Sequence, residues 1–385
     1  VFGGEGKPLG KFPQLVSIPT TGQSKHIKQH SIPEAFRSDV DKSIQSMLEQ
    51  GVIEPCDDPK GFNTPVFAVK KKDGSCRIVA NFKNSLNKVL DSTCDMAWQI
   101  DSTDDTINSI GQGNHYFSSL DLKAGYWQCE IQTEDRYKTA FQWKGKCYQY
   151  VRLPFGMKAS GQIFSRCIGK TMEDVSNKEN FQTYIDDVLC YGKTFDTYIE
   201  TLEQILAACL ANGLRLNPVK CSFLKQSAKF LGRIINHEGY QADPDYVQGI
   251  RDMPPPTTRK ELQAVIGRIV WLRMFIDTRV GERIRQKCFS QLLSELNKLN
   301  RRDKVFEWTQ EAQTAFEAVK KRLSTMPVIH FADFTKPFTL VTDASQVGVG
   351  AVVMQIHNGK QCTVAVASKT LSSVEQRWSA SEREC

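Results

Sequence analysis

Two adjacent aspartates, Asp186 and Asp187, lie between two largely apolar segments, 181–185 and 188–191, and each segment is predicted to form a strand. The two carboxylates therefore occupy the tip of a predicted hairpin. Like charges this close repel each other, and the pKa of each rises unless a cation holds them. A third carboxylate, Asp121, ends another strand-like segment. Three carboxylates from a strand end and a hairpin tip are what a two-metal phosphoryl-transfer site requires.

Length and composition are those of a folded protein with two to four domains. The chain has 385 residues, of which 40% are hydrophobic and 24% are charged. No apolar segment approaches the roughly 20 residues that cross a bilayer, and the N-terminus has no signal-peptide pattern. We therefore expect no membrane partner. The chain begins with Val1 rather than Met, which indicates an excerpt or a processed product.

Cysteine spacing and charge distribution further limit the class of protein and its expected partner. The twelve cysteines occur singly, without Cys-x-x-Cys pairs or zinc-finger spacing, which is typical of reduced structural thiols. The net charge of +7 is concentrated in residues 219–304, where 17 Lys/Arg against 9 Asp/Glu give +8. Beside a carboxylate site, this basic segment favours a polyanion such as nucleic acid, with a solvated charged face as the alternative.

Local patterns indicate the order of elements. Residues 1–30 lack periodicity and are interpreted as a linker or an arm. A helix is expected from about Ser31, with Ser31 as its N-cap. Segments 64–69 and 77–82 predict a hairpin with lysines near its tip. The alternation in 338–343 and its antiparallel partner predicts a second hairpin near the C-terminus. Helices and strands mixed in this way indicate an α+β protein.

Six short motifs occur in order along the chain. Residues 117–128 hold a strand and turn with Asp121, residues 153–158 read Leu-Pro-Phe-Gly-Met-Lys, residues 184–187 read Tyr-Ile-Asp-Asp and residues 230–232 read Phe-Leu-Gly. Residues 306–316 and 342–345 supply the last two. In this order they resemble the first catalytic aspartate, the Leu-Pro-Phe-Gly-x-Lys box, the Tyr-x-Asp-Asp box, the primer grip, the connection after the thumb and the start of ribonuclease H in reverse transcriptases. The variant with Phe155, and this order of parts, is most similar to gypsy-type LTR retrotransposon polyproteins.

The resemblance implies an α+β right-hand polymerase fold with fingers, a palm containing an antiparallel sheet and a helical thumb. A connection and a partial ribonuclease H-like α/β domain would follow. The implied boundaries are a linker or arm at 1–30, fingers and palm at 31–237, the thumb at 238–302, the connection at 303–336 and the truncated ribonuclease H domain at 337–385.

The same resemblance implies an RNA-directed DNA polymerase that extends a primer with dNTPs on an RNA or DNA template. Asp121 and Asp186 would bridge two Mg²⁺ ions, with Asp187 in support and Mn²⁺ as a substitute. The Leu122 carbonyl would complete a metal shell, and the backbone N–H groups of Ala124 and Gly125 would approach the triphosphate. The Tyr126 ring would act as a steric gate, and Phe155 would also contact the substrate. Lys71 and Arg77 of the hairpin would bind the incoming triphosphate. The primer contacts would be Tyr184, Phe230, Leu231 and Gly232.

Plainer structural roles remain open for some of these residues. Tyr126 has the alternative of a packed aromatic ring, and the hairpin cations Lys71 and Arg77 that of a solvated surface. Residues 230–232 have the alternative of a buried strand. The chain also departs from the family at 81–83, where Asn-Phe-Lys replaces Asp-Tyr-Arg.

Ribonuclease H chemistry requires four carboxylates around two metals in the family. Asp343 corresponds to the first acid. Ser379 and Glu382 have the spacing of a capping box, which places Glu384 in the first helical turn as the second acid. Because the chain stops at Cys385, two acids are missing, and we expect no ribonuclease H activity from this chain.

The resemblance also implies partners: an RNA template, a DNA primer, an RNA–DNA hybrid, and the protease and integrase parts of the polyprotein. A homodimer is left open. The expected location is the cytoplasm, in virus-like particles, with the nucleus as an alternative.

Two competing hypotheses are a non-catalytic retroelement-derived nucleic-acid-binding protein and a nuclease with a structural polymerase half. Binding alone needs neither Tyr126 nor the three carboxylates, and the nuclease lacks two acids.

Overall fold

The structure, a computed structural model, describes residues 1–3, 8–70, 76–91, 101–276, 289–300, 306–323, 328–346, 348–372 and 374–384. The chain divides into two units. Unit 1 comprises Val1–Ile110 and Tyr116–Lys225, and unit 2 comprises Gly111–His115 and Gln226–Cys385. Helices and antiparallel strands occur in both, as the sequence predicted.

Unit 1 alternates short strands with amphipathic helices. Its described elements are α1 (Glu34–Glu49), β1 (Ile53–Pro55), β2 (Val66–Lys70), β3 (Cys76–Ala80), α2 (Thr103–Asn108), β4 (Tyr116–Asp121), β5 (Phe141–Trp143), β6 (Lys146–Tyr150), α3 (Ser160–Thr171), β7 (Phe181–Tyr184), β8 (Asp187–Gly192), α4 (Phe195–Ala211) and β9 (Ser222–Lys225).

In the described part of unit 1, three antiparallel sheets organise the fold. Strands β7, β8, β4 and β9 form a four-stranded sheet in that order, and β1, β6 and β5 form a three-stranded one. The predicted hairpin of β2 and β3 is present, with Val66 opposite Ala80. The turn at 71–75 lies outside the described residues. The four-stranded sheet carries the carboxylates, since β4 and β8 pair along their whole length.

One hydrophobic core connects the sheets of unit 1 with its helices. Leu120 of β4, Val188 of β8, Phe164 of α3 and Ile205 of α4 all belong to it. Residues 12–18 at the N-terminus also reach this core, because Phe12, Val16 and Ile18 are buried. Residues 12–18 are therefore packed against unit 1, whereas most of residues 21–30 are exposed.

The described residues of unit 2 form helices and two further sheets. Its described elements are β10 (Ala228–Phe230), β11 (Arg233–Ile235), β12 (Gly239–Ala242), α5 (Pro244–Arg251), α6 (Arg259–Trp271), α7 (Arg273–Ile276), α8 (Phe289–Leu299), α9 (Gln310–Leu323), β13 (Ile329–His330), β14 (Thr339–Ala344), β15 (Gly348–His357), β16 (Lys360–Thr370) and α10 (Ala380–Glu384). Strands β10 to β13 form one sheet in sequence order, and β14 to β16 form the other.

Helix caps test the local sequence rules. Ser31 was expected to cap α1, but the N-cap is Pro33, which forms no side-chain cap hydrogen bond. The Ser31 prediction is wrong because Pro33 favours an extended backbone before it and a helix start after it. The capping box near the C-terminus is present: Ser379 N donates to Glu382 at 2.7 Å, and Glu382 N donates to Ser379 Oγ at 3.3 Å.

Among the described residues, no helix combines the length and apolar character needed to cross a bilayer.

Candidate active site

The three predicted carboxylates lie at one end of the four-stranded sheet. Asp121, the last residue of β4, is directly opposite Asp187, the first residue of β8. Tyr184 also pairs with Asp187, so Ile185 and Asp186 form a two-residue hairpin tip. Ile185 has a φ of 55°, a left-handed conformation that a β-branched residue rarely adopts. Backbone strain of this kind concentrates at functional sites.

The carboxylates destabilise one another's charged forms. Loss of water around Asp187, together with the charges of Asp186 and Asp121, raises the pKa of Asp187 to about 6. Partial desolvation and the nearby Asp121 also raise the pKa of Asp186. This end of the sheet is therefore a site of negative charge whose neutralisation by a cation is favourable.

A lysine that sequence reasoning missed already supplies one positive charge. Lys220 Nζ lies 3.1 Å from Asp121 Oδ2. The loop before β9 places it there, because Asn217 N donates to the Asp121 carbonyl at 2.8 Å. Cys221, the next residue, accepts a hydrogen bond from Asp121 N on its Sγ at 3.4 Å. No periodic pattern in the sequence marks a loop lysine as a partner of a residue about 100 positions earlier.

The donor atoms fit a hard divalent cation. Asp121 Oδ1 is buried and has no hydrogen-bond partner, and carboxylate oxygens are preferred ligands of Mg²⁺. Within the described ranges, no three His, Cys, Asp or Glu side chains are grouped as a metal-binding set. Strand pairing nevertheless places Asp121 opposite Asp187, and Lys220 contacts the Asp121 oxygen for which a cation would compete.

Replacing Asp187 by Asn is expected to stabilise the metal-free protein at neutral pH. The unfolded carboxyl has a pKa near 3.8 and the folded one about 6, so the unfolding free energy falls as pH rises through that window. Asn carries no charge and avoids this loss. After allowance for solvent screening we expect about 1 kcal/mol, or a Tm higher by about 2–4 °C, in EDTA at pH 7.5.

Thermal unfolding at two pH values checks this expectation. The advantage of Asp187→Asn should disappear at pH 4, where the carboxyl of the parent is protonated in the folded state. Asp196→Asn, an exposed carboxylate in the first turn of α4, is the matched control and should change Tm little at either pH. An Asp187→Asn protein less stable than the parent at pH 7.5 would contradict the expectation.

The loop after Asp121 brings the predicted substrate residues beside the carboxylates. Ala124 has φ 53° and ψ 38°, which ends the strand direction and starts a short 3₁₀ helix, Gly125–Gln128. A Cβ on Gly125 would lie 3.2 Å from the Phe164 ring and 3.5 Å from Asp186 Cβ. Any larger residue here would require the Phe164 ring to shift by a few tenths of an ångström, so glycine suits this close approach. Leu122, just before the turn, is buried.

Tyr126 is packed between two other aromatic rings. Its ring centroid lies 5.0 Å from that of Phe155 and 5.4 Å from that of Phe164, in tilted and edge-to-face geometries. Burial and the charge of Asp186 raise the pKa of its hydroxyl. The ring is thus a packed aromatic that also lies near Asp186 of the hairpin tip, and its role as a steric gate stays a prediction.

The predicted primer contacts of unit 2 form a tight hairpin. Phe230 pairs with Arg233, which leaves Leu231 and Gly232 as the two-residue turn. Both have positive φ values, 48° and 72°, as two-residue hairpins of the type I′ class require. Phe230 is buried, whereas Leu231 and Gly232 are partly exposed. Tyr184, the remaining predicted primer contact, is partly exposed on β7 of unit 1.

Arg233 anchors this turn within unit 2. Its guanidinium carbon lies 5.1 Å from the ring centroid of Tyr240, 5.8 Å from that of Phe275 and 6.0 Å from that of Trp271. A Cβ on Gly232 would also lie 3.0 Å from the Trp271 ring. Sequence reasoning missed this aromatic cage, because its members come from two strands and two helices.

Arg233→Met is expected to lower the unfolding free energy by about 2 kcal/mol, because a desolvated cation–π cage loses its cation. Arg233→Lys, which keeps the charge, should lose less than half as much. Denaturant unfolding of both variants is the measurement. A methionine variant as stable as the parent would contradict the expectation and indicate that the cost of burying Arg233 cancels its aromatic contacts.

Other predicted site residues are described only in part. Lys71 lies outside the described residues, and Arg77 is described as a backbone position of β3 paired with Val69. Asp343 is exposed on β14, opposite Gly350 of β15. It lines a cavity of about 520 Å³ together with residues that include Lys369 and Arg383. Glu384 is the last residue of α10, and its side chain lies outside the described part of the chain.

Comparison with known families agrees with this arrangement of motifs. The family described as "Reverse transcriptase (RNA-dependent DNA polymerase)" matches residues 69–235, which include every carboxylate of the hairpin site. Residues 69–235 therefore carry a reverse transcriptase domain. A second family, "RNase H-like domain found in reverse transcriptase", matches residues 308–385, so the chain contains regions similar to both domains.

Curated relatives are retrotransposon polyproteins. The Pol polyprotein of transposon opus from Drosophila melanogaster is 31% identical over 98% of this chain, and the polyprotein of transposon gypsy from the same organism is 28% identical over 90%. The Tf2-3 polyprotein of Schizosaccharomyces pombe is 28% identical over 98%. The chain spans 39%, 33% and 27% of these three relatives, respectively. The predicted resemblance to gypsy-type polyproteins is confirmed.

Solved structures confirm the fold. A foamy viral protease–reverse transcriptase in complex with double-stranded DNA has a TM-score of 0.83 at 22% identity, covering 98% of this chain and 63% of that one. A second foamy viral structure, in complex with an RNA/DNA hybrid, has a TM-score of 0.82 at 22% identity, with 98% and 49% coverage. The predicted α+β polymerase fold with a ribonuclease H-like part is therefore correct.

Proposed function

We propose that this chain is an RNA-directed DNA polymerase that extends a DNA primer with dNTPs on an RNA or DNA template, as part of an LTR retrotransposon polyprotein. One observation carries the proposal: Asp121 and Asp187 face each other across two strands, with Asp186 at the adjoining tip and Gly125 against it. A protein that only binds nucleic acid gains nothing from three mutually repelling carboxylates.

The chain's own groups have distinct roles in this proposal. The backbone N–H groups of Ala124 and Gly125 bind the triphosphate, because the left-handed turn leaves space there for phosphate oxygens. The Tyr126 ring, fixed by Phe155 and Phe164, lies against the sugar of the incoming nucleotide and excludes a 2′-hydroxyl. In unit 2, residues 230–232 hold the primer end.

Two Mg²⁺ ions would be held by Asp121, Asp186 and Asp187, and they would activate the primer 3′-hydroxyl and stabilise the leaving pyrophosphate. The partnerless Oδ1 of Asp121 supports this assignment. A bound cation would compete with Lys220 for Asp121 Oδ2, and the Lys220 ammonium would add positive charge beside the bound triphosphate.

Further partners follow from the same proposal. The nucleic-acid partners are the RNA template, the DNA primer and the RNA–DNA hybrid that extension produces. The protease and integrase are supplied by the remaining parts of the polyprotein, and the site of action is the cytoplasm within virus-like particles. Foamy viral relatives of this fold were solved with double-stranded DNA and with an RNA/DNA hybrid, which supports duplex binding.

Primer extension tests the proposal. The purified chain is incubated with a DNA primer annealed to RNA, all four dNTPs and Mg²⁺, and a double Asp186→Asn/Asp187→Asn variant is run beside it. Extension by the parent alone is expected. Retained duplex binding without extension by either protein would overturn the proposal in favour of a binding protein.

A further inference from the structure

The loop that carries the proposed triphosphate contacts is hydrogen-bonded to the buried side-chain amide of Gln128. We define the substrate loop as residues 122–125. Gln128, three residues later, is completely buried. Its Nε2 donates to the Lys123 carbonyl at 2.8 Å and to the Arg215 carbonyl at 2.9 Å, and its Oε1 accepts from Arg215 N at 2.8 Å. Every hydrogen of the amide is therefore used.

These contacts close the left-handed turn. Arg215 also accepts the backbone N–H of Lys123 on its carbonyl at 2.9 Å, and Trp127 N donates to the Ala124 carbonyl at 2.8 Å. Gln128 thereby ties the start of the substrate loop to the chain segment before β9. Only a side chain with two donors and one acceptor at this length satisfies the three backbone groups at once.

The N-terminal arm packs against the same residue, Gln128. Phe12 N donates to the main-chain carbonyl of Gln128 at 2.8 Å. At Gly10, a Cβ would lie 2.0 Å from Gln128 Oε1 and 2.9 Å from the Gly213 carbonyl. The arm thus fits against Gln128 only through a glycine, and it keeps water away from the three hydrogen bonds.

We infer that Gln128 is a positioning residue for the incoming nucleotide, which holds the N–H groups of Ala124 and Gly125 in place and is itself held by arm residues 10–12. The inference rests on the proposed function. A small displacement of a positioned group slows a reaction by a large factor. Loss of the Gln128 amide therefore lowers the rate at which dNTPs are incorporated. Duplex binding does not depend on this loop and stays unchanged.

Gln128→Met removes all three hydrogen bonds at nearly constant length. We expect kcat/KM for dNTP to fall about 10- to 100-fold, mainly through KM, with the Kd for the template–primer within about two-fold of the parent. Thr201→Val is the matched control, because Thr201 is equally buried and also makes two side-chain hydrogen bonds, on α4. The control should lose stability without this selective effect on dNTP.

Amide hydrogen exchange provides a readout that needs no activity. In Gln128→Met, the amides of Lys123 and Trp127 should exchange faster, whereas Thr201→Val should leave them protected. Unchanged dNTP kinetics, unchanged exchange, or losses equal to those of Thr201→Val would each overturn the inference.

Gly10→Ala perturbs the same amide from the arm and decides the matter if Gln128→Met does not fold. The same selective rise in KM for dNTP supports the inference, and kinetics equal to those of the parent overturn it. If the parent itself extends no primer, the proposed function fails, and exchange at Lys123 and Trp127 still decides whether Gln128 holds the loop.

Discussion

Asp121→Asn is expected to reduce primer extension at least about 1000-fold, which corresponds to ~4 kcal/mol of transition-state stabilisation. The substitution keeps the size of the side chain but removes the charge that faces Asp187. A neutral amide is a poor ligand for Mg²⁺, and its NH₂ group would face Lys220 or the hairpin tip. The measurement is single-turnover extension at saturating dNTP and Mg²⁺.

Two comparisons make this result specific. Asp196→Asn removes an exposed carboxylate from the same unit and should extend primers at the parental rate. Titration with Mg²⁺ should show binding to the parent and to Asp196→Asn but weaker binding to Asp121→Asn. An Asp121→Asn protein that keeps more than a tenth of the parental rate would mean that the metal site lies elsewhere.

Local patterns predicted the carboxylate strands well. The predicted strands at 116–120, 181–185 and 188–191 differ from β4, β7 and β8 by only one residue at their ends. The reason is that β4 and β8 are largely apolar and buried, and the charged residues mark where burial stops. Asp121 and Asp187 stand at those ends, so pattern and site coincide.

Contacts between distant residues could not be predicted in the same way. Lys220 reaches Asp121, and Gln128 reaches Arg215, through loops whose paths depend on the packed core. A lysine in a loop and a glutamine after an aromatic pair have many surface roles, so residue type alone does not select these partners. Arg233 is similar, because its aromatic cage forms only when two helices meet two strands.

Backbone strain was also missed. Ala124, Ile185 and Leu231 all have positive φ values. Ala124 and Ile185 lie next to the carboxylates in unit 1, and Leu231 lies in the turn of the predicted primer-contact hairpin in unit 2. Sequence rules assign such positions to Gly or Asn, so an Ala, Ile or Leu there predicts nothing unusual. The surrounding hydrogen bonds and ring contacts impose these conformations, which is how functional loops are commonly held.

Tyr126→Val is expected to raise the use of ribonucleotides relative to deoxyribonucleotides about 100-fold, an effect within the range that pocket shape provides. The expectation rests on the packing of Tyr126 against Phe155 and Phe164, whose ring centroids lie 5.0 Å and 5.4 Å from its own and restrict its movement away from a 2′-hydroxyl. Valine keeps an apolar surface but withdraws the ring. Extension is measured with rCTP and with dCTP, and the ratio of the two kcat/KM values gives the selectivity directly.

Tyr126→Phe separates the ring from its hydroxyl. If exclusion is steric, the phenylalanine variant keeps the parental selectivity, because the ring remains packed against Phe155. If selectivity instead depended on a hydrogen bond from the hydroxyl, Tyr126→Phe would lose it as fully as Tyr126→Val. An equal loss of selectivity in both variants would therefore contradict the steric argument. Loss of selectivity in Tyr126→Val alone would assign the discrimination to the ring, which packs against Phe155 and Phe164.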